Sequence, residues 1–242
     1  MEGPKNYYAS TMNLFKKENF KNYLLYILFG FGGIWHVLNM FQNAMRTLSS
    51  PLIIAVSLLM VYDVLKSLSN PSKTRFLLWC FFILSCGWGI EGMGVYTHFP
   101  FGNYHYGNTL KPQILQIPIA IGFAWLTISL SSLMMTLRII HRYQIKNSYH
   151  IYIIPILTAV FMLIFDLVME NAAPKLDYWI WHNNVIPLQN YLLWFLLGSL
   201  FSWLWFKLNI SMNFYPTFGI HVYLSQFIYF MLVIFKDHPR IT

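Results

Sequence analysis

Long apolar runs constrain the fold of this chain more than any other feature of its sequence. A helix needs about 17–25 residues to cross a hydrocarbon core, and seven runs approach or reach that length. They lie at 22–42, 50–67, 75–92, 113–137, 148–170, 186–206 and 218–235. A composition that is 57% hydrophobic over 242 residues exceeds the needs of a soluble core. The sequence therefore predicts an all-α fold, a polytopic membrane bundle of about seven transmembrane helices.

The chain shows no change of composition that would divide this bundle. Residues 1–21 mix basic and aromatic side chains, which suits a segment lying at the membrane surface; a short disordered tail is the alternative. Residues 22–242 are expected to form a single transmembrane helical domain. The sequence thus predicts one membrane domain with an N-terminal interfacial segment.

The net charge of +8 is explained by membrane topology. Most of the 16 basic residues fall in segments on the N-terminal side of the bundle, and they form no basic stripe that would indicate nucleic-acid binding. The positive-inside rule then places the N-terminus in the cytoplasm and the C-terminus outside the cell membrane. No nucleic-acid partner is expected.

Three of the eight acidic residues, Glu91, Asp166 and Glu170, lie at the ends of apolar runs, where carboxyl groups are costly. Asp166 and Glu170 are four residues apart on one helix face, with Cβ atoms about 5–6 Å apart. Two carboxyls that close cannot both ionise easily, so one should remain protonated near neutral pH. Such a pair offers a proton donor and a proton acceptor. Alternatively, these acids pair with a neighbouring helix or lie among lipid headgroups.

A weak internal similarity repeats around these acids. In each half an acid is followed by an aromatic loop, a proline and then a tryptophan seven residues after the proline. The matching residues are Glu91, Pro118 and Trp125 in the first half, and Glu170, Pro187 and Trp194 in the second. Seven residues make about two helical turns, so two helix pairs are predicted to present matching walls to a shared cavity. The alternative is that prolines simply begin helices.

Other polar residues and several absences bear on the chemistry. His36, Asn39 and Asn43 are expected to share one face of the first helix and to complete the cavity, or else to serve in helix packing.

The chain lacks H-x-x-H, H-x-x-x-H and His-His patterns, which disfavours a membrane di-iron hydroxylase. It also lacks a Gly-rich dinucleotide fingerprint and a lysine in the seventh apolar run for retinal. The sequence predicts a site without a metal or cofactor.

The stretch from Glu91 to Tyr106, EGMGVYTHFPFGNYHY, is followed by Leu110-Lys111-Pro112, Ile117-Pro118 and Trp125. A second set contains Asp166, Met169-Glu170, Tyr178-Trp179-Ile180-Trp181, Ile186 to Tyr191, and Trp194. The order and spacing of these elements over residues 85–195 resemble the membrane carotenoid-biosynthesis family that contains the bisanhydrobacterioruberin and γ-carotene hydratases. His98, Lys111 and Asn171 depart from the family pattern, which affects loop geometry and substrate preference more than the reaction class.

This resemblance implies addition of water to a double bond near the end of a linear carotenoid, giving a tertiary alcohol. As a hypothesis from the residues, Asp166 is the proton donor and Glu170 or Glu91 orients and deprotonates water; the alternative is an exchange of roles among the three acids. The expected substrate-binding residues are Thr97, Tyr104, Tyr106, Trp125, Trp181, Asn190, Trp194 and His36. The expected partners are the carotenoid, membrane lipid and other enzymes of the carotenoid pathway.

Two rival functions use the same acids. A carotenoid cyclase would protonate the same double bond, but an internal double bond would capture the cation in place of water. A small proton-coupled transporter would use the acids as relays and would need a polar path through the inner half of the bundle. The candidates for that path are Asp63, His150, His221 and Gln226.

Overall fold

A computed structural model describes residues 4–236, with side chains from Phe20 onward. The described part contains seven α-helices: α1 (Pro4–Val37), α2 (Gln42–Ser67), α3 (Asn70–Thr97), α4 (Ile119–Arg142), α5 (His150–Ala172), α6 (Leu188–Lys207) and α7 (Phe218–Ile234). By length and composition, α2, α3, α4 and the segment Asn147–Ala172 could each cross a membrane, and α7 is apolar but shorter. The predicted all-α membrane bundle is confirmed.

The connection between the first two helices differs from the prediction. α1 ends at Val37, because Asn39 and Phe41 take left-handed backbone conformations (φ 56° and 52°) that turn the chain into α2. His36, Asn39 and Asn43 therefore do not share a helix face, and that prediction was wrong. The hydropathy pattern missed the start of α2 because its first residues are polar. α1 already begins at Pro4, but the side chains of residues 1–19, on which the predicted interfacial segment 1–21 mainly depends, lie outside the described residues.

The start of the fourth helix was also predicted too early. Residues 113–118 form a tight hairpin of β2 (Gln113–Ile114) and β3 (Ile117–Pro118), and α4 begins only at Ile119. Leu115 and Gln116 make the turn with positive φ angles of 52° and 62°. Pro118 precedes the first turn of α4. Its missing N–H costs the helix no hydrogen bond at this position.

α4 is the central helix of the bundle. It packs against α2, α3, α5 and α7, and most of its length is buried. α5 packs closely along α6, and α1 packs along α7. α1 makes few contacts with α2, although the two are consecutive in the chain.

A two-stranded antiparallel ribbon joins the loop after α3 to the loop after α5. Its strands are β1 (Tyr104–Tyr106) and β4 (Trp179–Trp181), with Tyr104 opposite Trp181 and Tyr106 opposite Trp179. Alternate residues of a strand project from the same face. The register therefore places these four aromatic side chains on one face of the ribbon, above the ends of α3 and α5.

Candidate functional site

The three acidic residues lie together under the ribbon, and we call them the acid site. Glu91 projects from α3, and Asp166 and Glu170 project from α5. Their exposed fractions are 8%, 0% and 3%, so all three are buried. Within residues 20–236, the ion pair that the structure contains joins Lys21 to Asp63 at the other end of the bundle. The acids are held by hydrogen bonds instead.

Glu91 accepts hydrogen bonds from three aromatic side chains. The hydroxyls of Tyr104 and Tyr106 donate to its Oε2 at 2.5 and 2.7 Å, and Nε1 of Trp125 donates to its Oε1 at 2.9 Å. Burial and the nearby Glu91 carboxyl raise the pKa of both tyrosines, so both hydroxyls keep their protons at neutral pH. Gly94 leaves room for the Tyr104 hydroxyl beside α3. A Cβ at this position would lie 2.8 Å from that hydroxyl.

Glu170 is held by the other strand of the ribbon and by α6. Nε1 of Trp179 and Nε1 of Trp181 donate to its Oε2 at 2.9 and 2.6 Å. The side-chain amide of Asn190 donates to Oε1 of Glu170 at 3.3 Å and to Oδ2 of Asp166 at 3.1 Å. One amide group therefore ties the two carboxyls of α5 together.

Asp166 and Glu170 lie one helical turn apart on α5, and both accept from the side-chain amide of Asn190. Two buried carboxyls this close cannot both ionise easily. The buried Oδ1 of Asp166 has no hydrogen-bond partner among the described residues. The two carboxyls therefore lie on one face of α5, as their four-residue spacing predicts.

The two halves of the internal similarity meet at this site. Trp125 and Trp194, which follow the two matching prolines, stack with ring centroids 4.2 Å apart and planes 22° apart. Across the ribbon, the rings of Tyr104 and Trp181 lie 5.1 Å apart. The two helix pairs therefore contribute adjoining parts of the wall of one cavity.

This cavity has a volume of about 190 Å³ and a mostly apolar lining. The predicted residues that line it are Glu91, Glu170, Tyr104, Tyr106, Trp125, Trp181, Asn190 and Trp194. Asp166 lies behind Glu170 and does not form part of the wall. The acid that faces the cavity from α5 is therefore Glu170.

Two predicted substrate-binding residues lie outside the cavity lining. Thr97 is exposed, and its hydroxyl bonds to the backbone oxygens of Met93 and Phe99 at 2.7 and 2.9 Å. His36 is buried, and its ring packs edge-on against Tyr229 at 5.8 Å. Thr97 therefore stabilises the end of α3, and His36 packs behind the cavity wall.

Several lining residues were not singled out from the sequence. Trp179 donates to Glu170 as Trp181 does, and its alternation with Trp181 in a strand would have identified it. Ser49, Gln226 and Tyr229 contribute further polar groups to the lining. The sequence singled out Gln226 only for the path of a transporter, and nothing in the sequence context of Ser49 or Tyr229 distinguishes them from other helix residues. Within the described residues, no three His, Cys, Asp or Glu side chains form a group that could bind a metal ion.

Comparisons with known proteins place this architecture in a family. The bisanhydrobacterioruberin hydratase of Haloarcula japonica is 27% identical over 116 residues, which cover 46% of this chain and 38% of that protein. This chain therefore matches less than half the length of that relative. No solved structure matches the chain. The family model described as "Carotenoid biosynthesis protein" matches residues 49–238, which include the whole acid site. The chain belongs to the carotenoid biosynthesis protein family.

Proposed function

We propose that this protein is a carotenoid hydratase, which adds water across a double bond near the end of a linear carotenoid. The observation that carries the proposal is a pair of buried carboxyls, Asp166 and Glu170, bridged by Asn190, with Glu170 and Glu91 lining a largely apolar aromatic cavity. Family membership supports a carotenoid substrate, and the name of the Haloarcula japonica relative supports hydration. The chemistry of each group supports the individual steps.

The carboxyl pair is the proposed proton donor. The proton shared by Asp166 and Glu170 passes through Glu170, the member that lines the cavity, to the less substituted carbon of the double bond. Asp166 remains behind Glu170 and holds the pair in place with Asn190. Transfer of this proton leaves a tertiary carbocation on the substrate and a carboxylate in the pair.

The aromatic walls are suited to stabilising that cation. The faces of aromatic rings attract positive charge, and tryptophan does so most strongly. Trp194 stacks on Trp125, so the pair presents one flat surface beside Glu91. A flat polyene end fits such a surface, and the low polarity keeps stray water away from the cation.

Glu91 is the proposed site for the attacking water. A carboxylate has about four acceptor positions, and Tyr104, Tyr106 and Trp125 occupy three of those on Glu91. The remaining position can hold a water molecule. Attack by the water oxygen forms the C–O bond, Glu91 accepts the released proton, and the product is a tertiary alcohol. The addition involves no net oxidation or reduction.

A proton-coupled transporter fits the structure less well. Of the four polar residues proposed for its inner path, three are engaged locally: Asp63 with Lys21, His221 with Tyr26 at 3.0 Å, and His150 with a backbone oxygen at 2.9 Å. The fourth, Gln226, belongs to the cavity wall. These contacts support helix packing in the inner half.

Isotope labelling tests the proposal directly. Membranes containing the protein are incubated with a linear carotene in H₂¹⁸O, and the products are analysed by mass spectrometry. We expect a product heavier by one water and carrying the label. An isomer of unchanged mass would mean cyclisation, and an unaltered substrate would refute both reactions.

Acid-to-amide variants test the assigned groups. Asp166→Asn and Glu170→Gln should each lower conversion by at least about 100-fold, since each removes the shared proton. The matched control is Asp63→Asn, a buried carboxyl of α2 outside the site, which should convert substrate as wild type does. Wild-type conversion by Asp166→Asn or Glu170→Gln would remove the pair from the mechanism.

A further inference from the structure

The cavity reaches the side of the bundle as well as the acid site. Its far wall is formed by α1 and α2, and its lining there includes Leu28, Gly32, Trp35, Met45, Leu48 and Leu52. Leu28 and Leu48 line the cavity and are also 43% and 59% exposed on the outer surface of the bundle. The cavity is not enclosed, and these two side chains lie where it reaches the outer surface of the bundle. In a membrane bundle, this opening faces lipid.

The packing of the helices explains the opening. α1 lies along α7 and makes few contacts with α2, while α2 packs mainly on α4. A gap therefore remains between α1 and α2, at the end of the bundle that carries the acid site. Leucine and methionine side chains line the gap, and these are compatible with hydrocarbon.

The opposite end of the cavity is covered. Tyr104 and Trp181 of the ribbon are 5% and 4% exposed, and Asn190 beneath them is 1% exposed. A long molecule that enters between α1 and α2 therefore meets the ribbon and the acids at the closed end. Only one end of such a molecule can reach the acid site at a time.

We infer that a linear polyene enters the cavity end-first from the bilayer through this lateral opening, and that Gly32 keeps the passage clear. The inference rests on the substrate class of the proposed function. It adds the route and the residue that controls it. A Cβ at Gly32 would point toward Tyr229 and Met45, at 3.5 and 3.8 Å, so a larger side chain would extend between them into the passage. The remainder of the polyene stays between the helices and the lipid.

α1 offers a matched control two residues away. A Cβ at Gly30 would have no atom within 4 Å, so a large side chain there extends into lipid. Gly30→Phe and Gly32→Phe make the same chemical change on different faces of one helix. Any general effect of phenylalanine on α1 should appear in both variants.

The test measures binding separately from catalysis. Wild type, Gly30→Phe and Gly32→Phe are purified from a host that makes a linear carotene, and bound pigment is measured by visible absorption per mole of protein. We expect Gly32→Phe to retain about tenfold less pigment than wild type, because the added ring overfills the passage. Gly30→Phe should retain the wild-type amount. Wild-type retention by Gly32→Phe would overturn the inference.

A second variant keeps the test decisive if phenylalanine disturbs folding. Gly32→Cys is purified without pigment, reacted with a benzyl thiosulfonate and mixed with carotene in lipid nanodiscs. Labelling should block uptake, and a reducing agent should restore it; wild type, which retains Cys80 and Cys86, controls for reaction elsewhere. Equal uptake before and after labelling would refute the route. If uptake depends on position 32 but no water is added to the carotene, the route stands and hydration fails.

Discussion

Glu91 and Glu170 occupy matching positions in the two halves, but their hydrogen-bond donors differ in kind. Glu91 is bound by two hydroxyl groups and one indole, whereas Glu170 is bound by two indoles and one amide. A hydroxyl both donates and accepts, so it can pass a proton onward, but an indole N–H only donates. Proton movement toward water is therefore easier at Glu91. This difference supports Glu91 as the group that activates water.

Removing one hydroxyl tests that role. Tyr106→Phe deletes a donor to Glu91 but keeps the ring that packs on Trp179. A hydrogen bond to a charged group contributes about 1.5–3 kcal/mol, so conversion should fall about 10–100-fold. Product formation per mole of membrane protein measures the effect. Tyr96→Phe is the control, because its hydroxyl bonds to a backbone oxygen outside the acid site; an equal loss in both variants would argue against a specific role for Tyr106.

The stacked tryptophans provide a second matched comparison. Trp125→Phe loses both part of the stack and the N–H bond to Glu91, whereas Trp194→Phe loses only part of the stack. We expect the Trp125 variant to convert carotene about tenfold more slowly than the Trp194 variant. This ratio corresponds to the loss of one hydrogen bond. Initial rates on the same substrate give the ratio. A ratio near one would show that the N–H bond to Glu91 does not matter.

Residue chemistry was predictable from the sequence where spacing fixes geometry. The i, i+4 relation alone brings Asp166 to Glu170, and strand alternation brings Tyr104 and Tyr106 to one face. The positions of His36 and Thr97 depend on where α1 and α3 end, and the sequence does not fix either end. Gln226 and Tyr229 reach the cavity only through the packing of α7, which no local pattern encodes.

Among the structural elements, the ribbon is the one that assembles the site, because it supplies donors to both glutamates. Asp177 supports it from the loop before β4, where its carboxylate accepts a bond from the backbone N–H of Asn108 at 3.0 Å. Gly107 follows β1 and lies against Asp177, and a Cβ at Gly107 would clash with the backbone oxygen and carboxylate of that residue. The ribbon therefore requires glycine there.

Gly107→Ala should loosen the ribbon and lower both stability and conversion. The clash involves backbone atoms and cannot be relieved by a side-chain rotation, so the free energy of unfolding should fall by about 1–3 kcal/mol. A lower thermal midpoint of the purified protein, together with slower conversion, would bear this out. Gly89→Ala is the control, since a Cβ there has no atom within 4 Å. An unchanged midpoint for Gly107→Ala would show that the loop tolerates the added methyl.

The helices were predictable because apolar runs of sufficient length require them in a bilayer. The short strands were not predictable from hydropathy. A strand such as β2 or β3 lies beside an apolar helix and has a similar hydropathy. Residues 113–118 read as the start of a helix, yet Leu115 and Gln116 turn the chain into a hairpin before α4 begins. The pairing of β1 with β4 joins residues more than 70 positions apart and depends on the assembled bundle.

For the molecule as a whole, the acid site lies at the end of the bundle that the positive-inside rule places outside the cell. Substituted cysteines test this orientation. His105→Cys on the ribbon and Ser148→Cys before α5 are both at exposed positions on opposite ends of the bundle. A membrane-impermeant maleimide should label His105→Cys in intact cells and Ser148→Cys only after permeabilisation. The reverse pattern would place the N-terminus outside.

The closed acid end and the lateral opening together predict the order of products. A linear carotene with two identical ends must leave the cavity and turn around before its second end can react. The singly hydrated product should therefore accumulate first, and the doubly hydrated product should appear only after a lag. A time course with isotope-labelled carotene, chased with excess unlabelled carotene, measures this order. The chase should stop formation of the labelled, doubly hydrated product, because the released intermediate must compete with unlabelled carotene for re-entry. If the labelled, doubly hydrated product forms without a lag and despite the chase, both ends must react in one binding event.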